Sequence, residues 1–158
     1  MEDYGSSKDF LGVGGWLLFF CFSMIFFNPI STVYQIFTYT FPLLSKTHDV
    51  RREILWSVNS VLFLGVSAFG VVAGIRLWLV CAGAVRLARL WLLTLVCAHI
   101  SYFFLWLALF RSARTSSLAD VGWRHVAGPL VTFLLWNAYL YKSKRVRETF
   151  GEASSESA

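Results

Sequence analysis

Acidic side chains are missing from three long stretches of the chain. None lies from Val13 to Pro42, from Ile54 to Ala119 or from Val121 to Arg147. Charged residues make up only 15% of the chain against 57% hydrophobic and 18% aromatic, which excludes an ordinary soluble domain. A mean hydropathy of +0.61 agrees. Without acids in the apolar stretches there is no carboxylate pair for general acid/base chemistry, and none of the Asp or Glu that cation- and proton-coupled carriers use. Cysteine is scarce too: Cys21, Cys81 and Cys97 show no C-x-x-C spacing and sit in or beside apolar runs. They read as small buried hydrophobes, with no disulfide framework and no metal site. The net charge of +5 collects at the ends of the apolar runs, so it points to orientation and anionic lipid rather than nucleic acid.

What is there is an all-α integral membrane protein, a four-helix bundle in one domain over residues 1–150. The expected spans are about 12–29, 54–75, 90–110 and 126–141, followed by a disordered polar tail over 151–158. Before the first span the acids outnumber the lysines, and Asn28-Pro29 follows Phe27 where a cleavage site would need small residues. An uncleaved span is expected, not a signal peptide. Gly14 and Gly15 at its entry allow close approach of a helix or headgroups. From Ile30 to Glu53 the chain stays aromatic but gains Gln35, four threonines and several charges. It fits a segment lying along the interface between spans one and two, or else the first helix runs on to about Thr38, bent at Pro29.

The second span carries Asn59, Phe63, Ser67, Gly70 and Gly74 on one stripe. Small and polar residues let membrane helices approach and hydrogen-bond, so this stripe should face other helices. Arg76 ends the span, because placing it near mid-bilayer would cost roughly 2.5 to 3.5 kcal/mol. Leu77 to Arg89 is expected to be a connection hugging the interface. The third span holds His99 near its midpoint, with Tyr102 and Trp106 on the same face. An ionisable residue at that depth is a site candidate, and the bland alternative is a neutral histidine hydrogen-bonded to a neighbouring helix. Arg111 to His125 reads as an aqueous loop, and Asn137 lies inside the fourth span. Asn59, Ser67, His99, Tyr102 and Asn137 are thus the candidate intramembrane polar site. No catalytic set, metal-ligand cluster or cofactor motif accompanies them.

The stretch WNAYLYKSKRVRETF, Trp136 to Phe150, turns from apolar to basic without Pro or Gly. As one continuous helix it places Tyr139, Ser143, Val146 and Phe150 on one stripe, with Lys142, Lys144, Arg145 and Arg147 elsewhere. This suits a span continuing into an interfacial cap that holds anionic headgroups or serves only as a topology anchor. Four spans put Lys8, Arg76, Arg86, Arg89 and the four cap residues on one side, eight basic residues in all. Six, Lys46, Arg51, Arg52, Arg111, Arg114 and Arg124, fall on the other. The excess favours cytoplasmic termini.

The Gly14-Gly15-Trp16-Leu17 entry and the ending Trp136, Tyr139, Ser143-Lys144-Arg145-Val146, Thr149-Phe150 resemble the bacterial inner-membrane family called domain of unknown function 2569. The resemblance implies a small four-helix inner-membrane protein and implies no activity. A non-catalytic membrane protein is expected, acting through helix faces on a protein partner, on lipid or on itself. The alternative is an oligomeric channel or uncoupled small-solute transporter lined by polar residues of spans two to four. If the cap orients the protein or holds lipid, replacing Lys144, Arg145 and Arg147 with Gln is expected to weaken binding to anionic liposomes or to invert the topology. Unchanged flotation and unchanged protease accessibility would remove both roles.

Overall fold

The computed structural model describes residue 13 and residues 15–42, 49–110 and 126–155. Gly14, the stretch 111–125 expected as an aqueous loop and the end of the expected tail lie outside them. Every regular element among the described residues is a helix. Among the described residues three helices are long and apolar enough to cross a membrane: Trp16–Thr38, Val50–Trp78 and Ala84–Leu109.

The first of these is built in pieces. It comprises α1 (Trp16–Phe22), a π-helical turn (Ser23–Phe27), α2 (Asn28–Gln35) and a second π-helical turn (Ile36–Thr40). In the first π turn the Asn28 N–H donates five residues back, to the Ser23 carbonyl. Pro29, which has no N–H to give, enters where the hydrogen-bond register is already shifting. The segment from Ile30, expected along the interface, therefore continues the first span to Thr38, as the alternative had it. Its polarity misleads because Thr32 and Thr40 are buried against other helices while Ile30, Tyr34 and Phe37 point outward.

Helix α3 (Val50–Trp78) starts at Asp49, whose Oδ1 accepts from the Arg51 N–H at 3.1 Å. It ends in a tight turn rather than the long connection expected from Leu77 to Arg89. The Val80 N–H donates to the Leu77 carbonyl and the Cys81 N–H to Arg76, with Val80 at φ 52°. That is a Schellman end with a β-branched residue in the place that glycine usually fills. Helix α4 (Ala84–Phe110) begins directly after Gly83. Leu77, Ala84 and Ala88 are buried in the core, while Trp78 and Leu79 point outward.

Helix α5 (Gly128–Lys142) is 15 residues long with Pro129 in its first turn. The continuous helix expected through Phe150 breaks at Ser143, which is extended at φ −65°, ψ 119°. Its carbonyl accepts from the Arg147 N–H and its hydroxyl, at 3.4 Å, from the Val146 N–H. Serine thus acts as the N-cap of a new helix, α6 (Lys144–Ser155), which carries helical structure into the stretch read as a tail. The break turns Val146 into the apolar core, leaving it 3% exposed.

The first helical run packs on α3, α3 most extensively on α4, and α4 on α5. The expected inward stripe of α3 is found. Ser67 and Gly70 are buried, a Cβ on Gly70 would lie 2.7 Å from Trp91 Nε1, and one on Gly74 would lie 2.7 Å from Ile25 Cγ1. Leu17, Phe20, Cys21, Met24, Ala73, Leu92 and Leu140 fill the half of the molecule nearest α6. Phe20 stacks on Trp136 at 4.4 Å and meets Trp91 edge-on at 6.3 Å. Outward surfaces carry Phe27, Val61, Leu79 and Leu135, as a hydrocarbon solvent requires.

Gly70→Ala and Gly74→Ala are each expected to destabilise by about 1 to 3 kcal/mol, the cost of forcing atoms into a filled core. Gly65→Ala, which meets open space, should not. Val80→Gly should stabilise by about 1 kcal/mol by removing a left-handed β-branched residue. Thermal unfolding of the four variants in one detergent checks the order, and equal losses at Gly65 and Gly70 would refute this packing.

Candidate functional site: a polar chamber between the helices

A cavity of about 670 Å³ lies between the helices, lined by Asn28, Ser31, Thr32, Gln35, Thr40, Trp56, Asn59, Phe63, Leu95, His99, Tyr102, Pro129 and Thr132. These residues come from the second half of the first helical run, the first part of α3, the middle of α4 and the start of α5. All four contributions belong to the end where residues 43–48 and 111–125 connect the helices. The half of the molecule nearest α6 is thus closely packed and largely apolar, and the other half holds the cavity.

Local sequence explains the lining. Asn28, Ser31, Thr32 and Gln35 recur at i, i+3, i+4 and i+7, one face of a helix. Asn59 and Phe63 are one turn apart on α3, and Leu95, His99 and Tyr102 share a face of α4. Several hydroxyls are held by their own helix: Thr32 donates to the Asn28 carbonyl at 3.0 Å, Ser60 to Trp56 at 2.9 Å and Thr132 to Gly128 at 3.0 Å. Thr32 also shares a 2.8 Å hydrogen bond with Ser67, both buried, which joins the first span to α3 below the chamber. Deeper still, the Trp91 indole donates to the Val66 carbonyl at 3.0 Å.

His99 Nδ1 lies 2.9 Å from the Leu95 carbonyl, and because a carbonyl only accepts, the ring donates there. Its edge meets Phe63 at 4.6 Å, and Phe63 meets Tyr102 at 6.4 Å. Asn28 differs from its neighbours: its Nδ2 is buried with no hydrogen-bond partner among the described residues. Among those residues, too, no Lys, Arg, Asp or Glu lines the chamber. Such a wall can hydrogen-bond and stack on an uncharged ligand, but it holds no nucleophile paired with a base. Among the described residues no three His, Cys, Asp or Glu gather as a metal site, and the three cysteines are free thiols.

Of the candidate polar residues, Asn59, His99 and Tyr102 line the chamber together, and Ser67 braces it from below. Asn137 does not line it. Asn28, Ser31, Thr32, Gln35 and Thr132 went unpredicted, although the helical spacing of the first four was there to be read. The four basic residues of the cap differ in their surroundings. Lys142 and Arg147 are exposed, Lys144 pairs with Glu148 at 3.7 Å, and Arg145 is half-buried beside Gly15. Arg89, on α4, lies over the Tyr141 ring at 5.6 Å.

A chamber accessible to water predicts a distinct labelling pattern. In a background with Cys21, Cys81 and Cys97 replaced by Ala, Asn59→Cys and Thr132→Cys should react with a membrane-impermeant maleimide, and Ala73→Cys, in the solid core, should not. Equal reactivity at the three positions would contradict a hollow and a solid half.

No curated protein and no solved structure matches the chain. A family model described as "Protein of unknown function (DUF2569)" matches residues 11–151. The match takes in every helix that frames the chamber, and the chain belongs to that family.

Proposed function

We propose that the chain is a four-span, non-catalytic protein of the bacterial inner membrane, with cytoplasmic termini, that takes up a small uncharged polar ligand in its chamber. In this reading α5 is the fourth span, and the chamber opens away from the cytoplasm. The observation that carries it is a chamber wall of amides, hydroxyls and aromatic rings in which no described residue is a Lys, Arg, Asp or Glu. The amides and hydroxyls of that wall can exchange hydrogen bonds with a ligand that brings its own donors and acceptors. Trp56 and Tyr102 add flat apolar faces of the kind that cover the C–H face of a sugar or polyol.

Helix-face contacts to lipid, to a second copy or to another membrane protein complete this reading. The broad outward apolar surface supports such contacts equally. Passage of a solute through the protein, alone or as an oligomeric channel, is a second reading. It requires the Phe20, Trp91 and Trp136 cluster to part. The π turn Ser23–Phe27 at that level favours it, since such turns mark places where a helix yields.

Thermal shift of the protein in lipid nanodiscs, screened with uncharged polyols, monosaccharides and amides beside amino acids and inorganic anions, tests the proposal. An uncharged class should raise the melting temperature, and Asn28→Leu with Asn59→Leu should remove the shift. Stabilisation by charged compounds alone would sink the chamber reading. Swelling of proteoliposomes by the same compound would separate passage from binding.

A further inference from the structure

Gly15 and the Ser143 to Phe150 segment come from opposite ends of the chain, yet they meet. The Gly15 backbone sits at φ +57°, and a Cβ added to it would lie 3.4 Å from Arg145 Nη1. Arg145 is only half-exposed, and its Nε is buried with no hydrogen-bond partner among the described residues. Thr149 follows one turn later on the same face of α6, is 6% exposed, and its Oγ1 is likewise buried and unpartnered. Among the described residues Arg145 pairs with no carboxylate, since Glu148 faces Lys144.

A half-buried guanidinium with a hidden, unpaired N–H is costly, unlike a lysine or arginine that extends into water. Both unpartnered groups can donate, so what they lack is an acceptor, and beside a permanent cation the favoured acceptor is an anion. The planar donor fork of arginine matches two oxygens of a phosphate, and the threonine hydroxyl can serve a third. Depth supports the same ligand. Trp16 and Tyr141, 69% and 70% exposed, place aromatic rings at this end of the molecule, where headgroups meet hydrocarbon. The one-residue break at Ser143 lets α6 adjust against α1 without disturbing α5.

From this we infer that Gly15, Arg145 and Thr149 form a binding site for a phosphate group at the terminal end of the first span. The site is separate from the chamber and does not depend on it. The phosphate is that of a phospholipid headgroup or of a free anion. Glycine at position 15 lets the guanidinium come close to the backbone of the first span, and exposed Lys142 and Arg147 attract anions toward it without forming it.

The full chain in detergent, titrated with phosphatidylglycerol and separately with inorganic phosphate, tests this by native mass spectrometry and thermal shift. Arg145→Gln should weaken retention of the phosphate-bearing ligand by about tenfold, the loss expected for a charged hydrogen bond, and Thr149→Val should weaken it several-fold. The combined Lys142→Gln, Lys144→Gln, Arg147→Gln variant should change it far less, and Arg145→Lys should restore it only in part. Stabilisation by phospholipid alone makes the ligand a headgroup, and stabilisation by inorganic phosphate as well makes it a free anion. Retention that follows only the exposed charges, or that is untouched in both Arg145→Gln and Thr149→Val, overturns the site. If Arg145→Gln does not fold, Thr149→Val carries the test, and parent-like retention in that variant overturns the inference.

Discussion

The hydrogen bond from the Trp91 indole to the Val66 carbonyl holds the two halves of the protein apart. It forms only because Gly70, one turn beyond Val66, leaves room for the ring at a distance no side chain would permit. With Trp91 fixed there, Phe20 packs on its edge and Trp136 on Phe20, so one layer of aromatic rings ties α1, α4 and α5 together. The core on the α6 side of that layer is largely small or apolar and closely packed, with Arg145 and Thr149 as its polar exceptions. On the other side the helices carry amides and hydroxyls that cannot pack to the same density, and a chamber results.

Between membrane helices there is no hydrophobic driving force of the kind water supplies, so association rests on close packing and on hydrogen bonds. Both are concentrated on α3. Its inward stripe offers Asn59 to the chamber, Ser67 to Thr32, Gly70 to Trp91 and Gly74 to Met24 and Ile25. That stripe was legible from residue spacing alone. In a helix of apolar residues facing lipid, a line of small and polar side chains gains nothing from hydrocarbon and must meet another helix. His99 and Tyr102 were legible for the same reason.

The polar half of the first span was not. Asn28-Pro29 followed by Ser31, Thr32 and Gln35 looks like a helix leaving the membrane, since proline commonly breaks helices and polar side chains commonly seek the interface. Two facts invisible in one sequence reversed that reading: the π turn absorbs the missing N–H, and the neighbouring helices offer the polar face a cavity. The break at Ser143 was hidden for the opposite reason, since no Gly or Pro marks it and serine is an effective N-cap only when the backbone has already turned. The meeting of Gly15 with Arg145 depends on how α6 folds back, which no local pattern encodes. The family relation covers both segments, and the fold shows them side by side.

The hydroxyls that bond to their own helix have a bearing on how the protein is made. Thr32, Ser60, Thr94 and Thr132 each donate to the carbonyl four residues earlier. Such a bond exists as soon as one helix exists, before any neighbour arrives. A nascent span can therefore enter lipid with these groups already satisfied, as can His99, whose Nδ1 donates to the Leu95 carbonyl of its own helix, while the Asn28 amide cannot. The order of biogenesis is in this sense written into the side chains: hydroxyls and a histidine ring that travel with their own acceptor, and an amide that brings none.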